Sequence, residues 1–124
     1  MTRTLATLLA ALALVVAGCG SGDDMGNYKA PTGPPVKTIV VKGTSYKFTP
    51  SKVDSPPGII EFELDNTDGI NHSLRIKNVD GFMIEAGPGK TATGKVKLPA
   101  GTYTFYCDIP GHESSGMKGT LTVK

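Results

Sequence analysis

Helical periodicity is almost absent beyond residue 36 of this 124-residue chain. That excludes a helical bundle and leaves short alternating runs separated by Gly and Pro turns. Histidine occurs only twice and cysteine only twice, so any site that needs many of either is excluded. No charge of one sign dominates. Lys and Arg number 13 against 11 Asp and Glu, and without Arg3 the basic count is 12. There is no basic stripe, and aromatic residues make up only 6%, so nucleic acid is not an expected partner. Near-neutrality also argues against strong electrostatic steering towards any partner. No internal repeat is evident.

The apolar run Leu5 to Ala17 is shorter than the ~18–20 residues of a membrane span. With Arg3 ahead of it, residues 1–18 read as a secretory signal peptide. Val16-Ala17-Gly18-Cys19 resembles the lipobox of bacterial lipoproteins, which makes Cys19 the expected lipidation site. The alternative is plain signal cleavage beside a chance cysteine. Several acyl chains on one residue would anchor the chain stably, where a single chain is marginal. An exported protein is expected, lipid-anchored on the outer face of the cytoplasmic membrane or in the periplasm. Residues 19–36, rich in Gly, Pro, Asp and Ser, read as a flexible tether. Residues 37–124 then form one domain with a modest core. With Cys19 lipidated, Cys107 is the one remaining thiol, so no intramolecular disulfide can form. A leftover thiol in an exported chain points to a paired, reactive or metal-bound group.

In Ile59 to Leu64, Ile60, Phe62 and Leu64 fall on one face and Glu61 and Glu63 on the other. Lys95 to Leu98 alternates likewise, as do Leu121 and Val123. Shorter candidates are Ile39–Val41, Tyr46–Phe48, Lys52–Asp54 and Phe82–Ile84. Pro99-Ala100-Gly101 supplies a tight turn. The pattern predicts an all-β fold, an antiparallel Greek-key β-sandwich of about seven to eight strands. Period two then puts Tyr103, Phe105 and Cys107 on one inward face. It also puts His72, Leu74 and Ile76 inward, with Ser73, Arg75 and Lys77 towards solvent.

One loop concentrates the chemistry. Cys107, His112 and Met117 follow one another with four residues between neighbours, in Tyr106-Cys107-Asp108-Ile109-Pro110-Gly111-His112-Glu113-Ser114-Ser115-Gly116-Met117. The second histidine, His72, sits in the turn-rich stretch Asn66 to His72. Two imidazoles, a thiolate and a weak thioether are the ligand set of a blue-copper electron-transfer site. Thiolate and thioether suit Cu(I), and imidazole serves both oxidation states.

Phe105 to His112, continued by Gly116-Met117-Lys118-Gly119, resembles the ligand loop of the cupredoxins, the plastocyanin and azurin family. The four-residue Cys–His spacing is more like rusticyanin or auracyanin than plastocyanin. The resemblance implies a cupredoxin-like sandwich holding one type 1 copper ion on His72, Cys107, His112 and Met117. Many members carry Asn after the first His to brace the Cys-bearing loop. Here Ser73 stands in that place and offers only a hydroxyl, with Asn71 the other candidate beside the ligands.

The implied function is a membrane-tethered carrier that passes single electrons between redox proteins as copper cycles between Cu(II) and Cu(I). A cytochrome, a terminal oxidase or a photosynthetic complex would each serve as partner, and a monomer is expected. Ile70, Ile109 and Pro110 are the expected apolar docking patch around an exposed edge of His112, suited to brief encounters. The alternative is a lipoprotein that binds or delivers copper, or zinc, without electron transfer. An enzyme is not expected. A Cys107–His112 nucleophile and base would leave Met117 unexplained. Two histidines are too few for a multicopper oxidase, and one loop cysteine is too few for a dinuclear copper centre.

Overall fold

The computed structural model describes residues 28–124. The signal segment, Cys19 and the tether up to residue 27 lie outside the described residues. Nine strands and no helix are found there: β1 Lys37–Thr44, β2 Lys47–Thr49, β3 Lys52–Ser55, β4 Gly58–Asn66, β5 His72–Ile76, β6 Met83–Ala86, β7 Thr91–Leu98, β8 Gly101–Tyr106 and β9 Lys118–Val123. They form two sheets, ordered β2-β1-β4-β7 and β3-β9-β8-β5-β6. The expected all-β sandwich is therefore the observed class.

Strand direction adds a finding. β1 pairs parallel to β4, and β3 parallel to β9, so both sheets are mixed rather than purely antiparallel. Alternation reports which face a residue occupies, and both ladder types share that period. Direction depends instead on the route of the chain, which crosses between the sheets from β2 to β3 and back to β4.

The core sits between the sheets. Strand β4 buries Ile60, Phe62 and Leu64, the three residues its alternation assigns to one face. Phe62 and Phe105 stack across the two sheets with ring centroids 6.0 Å apart, and Phe48 meets Phe105 at 5.5 Å. Such aromatic contacts add to the area they bury.

Residues 28–36 do not hang free as a tether would. Tyr28 packs edge-on against Phe82 with centroids 5.8 Å apart, and its hydroxyl donates to the Lys95 carbonyl at 2.7 Å. Val36 N–H donates to the Ile59 carbonyl at 2.7 Å. Composition marks this stretch as polar and Gly/Pro-rich, but one aromatic anchor, one backbone bond and the Lys95 ammonium on the Gly33 carbonyl at 2.9 Å hold it to the sandwich.

Both candidate ligand segments leave the sandwich at one end. His72 begins β5, and Cys107 directly follows β8. Strands β5 and β8 are hydrogen-bonded neighbours, with Arg75 opposite Tyr106, so the two side chains are delivered from adjacent strands.

Candidate metal centre

The loop after β8 is closed by its own backbone. Cys107 N–H donates to the Met117 carbonyl at 3.1 Å, and Met117 N–H donates to the His112 carbonyl at 3.1 Å. His112 N–H donates to the Ile109 carbonyl at 3.0 Å, and Ser115 N–H to the Gly111 carbonyl at 3.2 Å. Gly111 and Gly116 take left-handed backbone, with φ of 85° and 108°, which glycine adopts without strain. Outside the loop, Lys77 pairs with Glu113 at 2.8 Å. The four-residue spacings thus become tight turns with fixed ends.

His72 Nδ1 lies 3.3 Å from His112 Nδ1, and Cys107 Sγ lies 3.4 Å from His112 Nδ1. One donor atom from each of His72, Cys107 and His112 falls within 4.8 Å of the others. Metal–nitrogen and metal–sulfur bonds of ~2.0–2.3 Å place neighbouring ligand atoms roughly 3.3–3.8 Å apart. The observed spacings match donors that share an ion. Met117 is fully buried and lies beside these donors. A Cβ built on Gly43 would meet Met117 Cε at 3.2 Å and His72 Cδ2 at 3.4 Å, so thioether and imidazole converge on one spot of β1. The soft-plus-imidazole donor set fits copper.

Partners outside the donor set orient it. His72 Nε2 meets Asp68 Oδ2 at 3.0 Å. An Nε2–H donated there leaves the Nδ1 lone pair facing Cys107 and His112. The Asp68 carboxyl is held below its usual range, first by His72 and then by the backbone N–H groups of Ser45 and Gly69. Burial pushes the His112 imidazole below its ordinary value, and His72 adds to this while Asp68 opposes it. The shift favours neutral imidazole, the form that ligates a metal.

Ser73 is buried rather than solvent-facing. Its N–H points at Cys107 Sγ at 3.4 Å, and its hydroxyl lies 2.5 Å from Asp108 Oδ1. The loop folds over this residue and covers the outer face of β5, which strand parity could not anticipate. The brace between the His-bearing strand and the Cys-bearing loop therefore exists, built from Ser73 and Asp108 together. Asn71, expected beside the ligands, is exposed and bonds Glu85 at 3.4 Å.

Asn66 does the positioning that was expected of Asn71. It is fully buried, and its amide reaches the carbonyls of Ile70 at 2.7 Å, Ala86 at 2.8 Å and Gly87 at 3.1 Å. Its Oδ1 accepts Asp68 N–H at 2.9 Å. The run of Asx residues ahead of His72 was the available signal, since such side chains cap turns. Asn66→Ala is expected to cost about 2 kcal/mol or more, because buried carbonyls lose their donor. Urea denaturation of the metal-free domain checks this, and a loss below ~0.5 kcal/mol would contradict it.

The residues expected to form the apolar docking patch differ in exposure. Ile70 is 41% exposed and Tyr46 is 42% exposed, and Pro110 is exposed as well. Ile109 is half-buried and packs on the core. Tyr46, not singled out from sequence, stands edge-on to His112 with centroids 4.9 Å apart. It is the second residue of a two-residue hairpin turn, where Ser45 and Tyr46 both take positive φ, 52° and 59°. Non-glycine residues rarely do so, and strained positions of this kind cluster at functional sites.

A β-sandwich with buried His72, Cys107 and His112 donors converging at one end is the frame of a mononuclear soft-metal site. The chain belongs to the cupredoxin family, since the Cupredoxin-like domain matches residues 8–123. It is 32% identical over 91 residues to plastocyanin of Nostoc punctiforme, covering 73% of this chain and 63% of that protein. It is also 32% identical over 110 residues to plastocyanin of Dryopteris crassirhizoma, covering 83% of this chain and 95% of that one. Among solved structures, auracyanin B superposes with a TM-score of 0.66 at 21% identity, over 77% of this chain and 94% of its own. Reduced auracyanin of Roseiflexus castenholzii gives 0.64 at 22% identity, over 74% and 99%. At that identity the two structures speak for the fold alone.

Proposed function

We propose that this protein is a blue-copper electron carrier, in which His72, Cys107 and His112 would hold one copper ion and Met117 would supply a weak thioether donor. The observation that carries this reading is the convergence of the His72, His112 and Cys107 donor atoms beside the buried Met117. When bound, the ion supplies one-electron Cu(II)/Cu(I) chemistry. The chain's own residues limit rearrangement: Asp68 and Asn66 hold His72, while Ser73, Asp108 and the loop's backbone bonds hold Cys107 and His112. Ligands held in this way need not shift when an electron arrives. Cys107 and His72 are fully buried and His112 is 8% exposed, so the His112 edge is the nearest approach for a partner. Tyr46, Ile70 and Pro110 supply apolar surface there, suited to a small transient interface with a redox protein.

The test is the visible spectrum of the folded domain loaded with Cu(II) and then treated with ascorbate. A strong thiolate-to-copper band that bleaches and returns on reoxidation supports the carrier reading. A colourless protein that still holds metal would favour copper or zinc binding or delivery instead.

Membrane tethering is proposed on the lipobox-like Val16-Ala17-Gly18-Cys19, with the anchor on the outer face of the cytoplasmic membrane or within the periplasm. Cys19→Ala is expected to move the full chain from the membrane fraction to the soluble one. An unchanged distribution would leave the lipid anchor without support.

A further inference from the structure

Asp108 and Arg75 have no role in the ligand set, yet they meet beside it. Arg75 Nε lies 2.5 Å from Asp108 Oδ2, and the other carboxylate oxygen, Oδ1, lies 2.5 Å from the Ser73 hydroxyl. Asp108 N–H also donates to Ser73 Oγ at 3.0 Å. The same Oγ is 3.5 Å from Cys107 Sγ.

A serine hydroxyl has one proton to give. Two acceptors compete for it here, a carboxylate oxygen at 2.5 Å and a sulfur at 3.5 Å. Hydroxyl-to-carboxylate bonds of ~2.5–2.7 Å are charge-assisted and roughly twice as strong as neutral ones, so the carboxylate takes the proton. Cys107 Sγ is then left with the Ser73 N–H at 3.4 Å. Hydrogen bonds to a ligating cysteine sulfur tune the site's potential.

We propose that Asp108, oriented by Arg75, is a positioning residue that draws the Ser73 proton away from Cys107, keeping the thiolate electron-rich and the reduction potential low. The effect on potential rests on the copper-carrier reading, while the proton's direction does not. Ser73 thus braces the loop without spending its hydroxyl on the sulfur.

Asp108→Asn tests it with little change in shape. Arg75 has only donors, so it selects the amide oxygen and turns the new NH2 group towards Ser73 Oγ. The hydroxyl proton is then free to reach Cys107 Sγ. The expected result is a shift of about tenfold towards the reduced state, ~59 mV for one electron, with the thiolate-to-copper band moved to higher energy. In a Ser73→Ala background the same substitution should move the potential by less than half as much. Ser73→Ala alone should move it little. Equal shifts in both backgrounds would reduce Asp108 to a nearby charge and overturn the proposal. A clear fall in potential for Ser73→Ala alone would overturn it too, because the hydroxyl would then already serve the sulfur.

A crystal structure of metal-free Asp108→Asn protein is the independent readout. Ser73 Oγ should close on Cys107 Sγ from its present 3.5 Å, and an unmoved hydroxyl would overturn the proposal. If the unsubstituted protein bound no copper, the carrier reading would fall and this structural comparison would still decide the proton's direction.

Discussion

Cys107→Ser is expected to abolish the intense visible absorption of the copper-loaded protein while leaving the sandwich folded. The band requires a thiolate-to-copper charge transfer, and Cys107 is the one thiol among the described residues. Metal coordination deprotonates a thiol outright, whereas a serine hydroxyl stays protonated and is a harder, poorer partner for Cu(I). Copper affinity should fall together with the colour. The fold should survive, because a serine at this buried position would meet polar neighbours. Ser73 N–H lies 3.4 Å from the present sulfur, and His112 Nδ1 also lies 3.4 Å from it. A satisfied buried hydroxyl costs on the order of 1 kcal/mol, so circular dichroism should keep its β-sheet form. Retention of the blue band in Cys107→Ser would remove Cys107 from the ligand set and with it the proposed site.

A large stability effect is expected at Gly119, a residue with no part in the chemistry. Gly119 lies on β9 directly opposite Phe105 on β8, and it points into the core. A Cβ there would stand 2.2 Å from Phe105 Cζ and 2.6 Å from the backbone carbonyl oxygen of Ser51. The ring could turn, but the carbonyl belongs to the loop before β3 and cannot move cheaply. Phe105 itself is wedged between Phe48 and Phe62. Overpacking of this kind costs ~1–3 kcal/mol and sometimes more. For a domain of this size each kcal/mol is worth roughly 4–8 °C in Tm, so Gly119→Ala should lower Tm by about 10 °C or more. Gly69→Ala is the control, since a Cβ there meets nothing within 4 Å. A Gly119→Ala midpoint within a few degrees of the Gly69→Ala one would mean that the Phe105 ring and the Ser51 loop yield easily.

Both predictions rest on facts of different visibility. Cys107 announces itself in the sequence, because it is an unpaired thiol five residues before a histidine and ten before a methionine. Gly119 does not, since a glycine in an alternating strand reads the same whether open space or a phenylalanine ring faces it. Asn66 lies between these cases: its Asx character was visible, but its burial was not. Only the approach of the β6–β7 connection brings the Ala86 and Gly87 carbonyls to its amide.

What the sequence determined by itself is local and periodic. Two-residue alternation put Ile60, Phe62, Leu64 and Phe105 in the core, because side chains in an extended chain must alternate faces. The four-residue spacings in Cys107 to Met117 brought donors together on one tight loop, because turns between nearby residues need no distant partner. Tertiary structure decided whatever depends on which segments meet. The parallel pairing of β1 with β4, the docking of Tyr28 on Phe82 and the Tyr46 edge against His112 join residues far apart in the chain. Ser73 shows the reason most directly. Its parity places it on the outer face of β5, but whether that face meets water depends on the loop after β8. The loop folds over it, Asp108 takes its hydroxyl, and a residue that alternation assigns to solvent becomes a buried partner of the Cys107 sulfur.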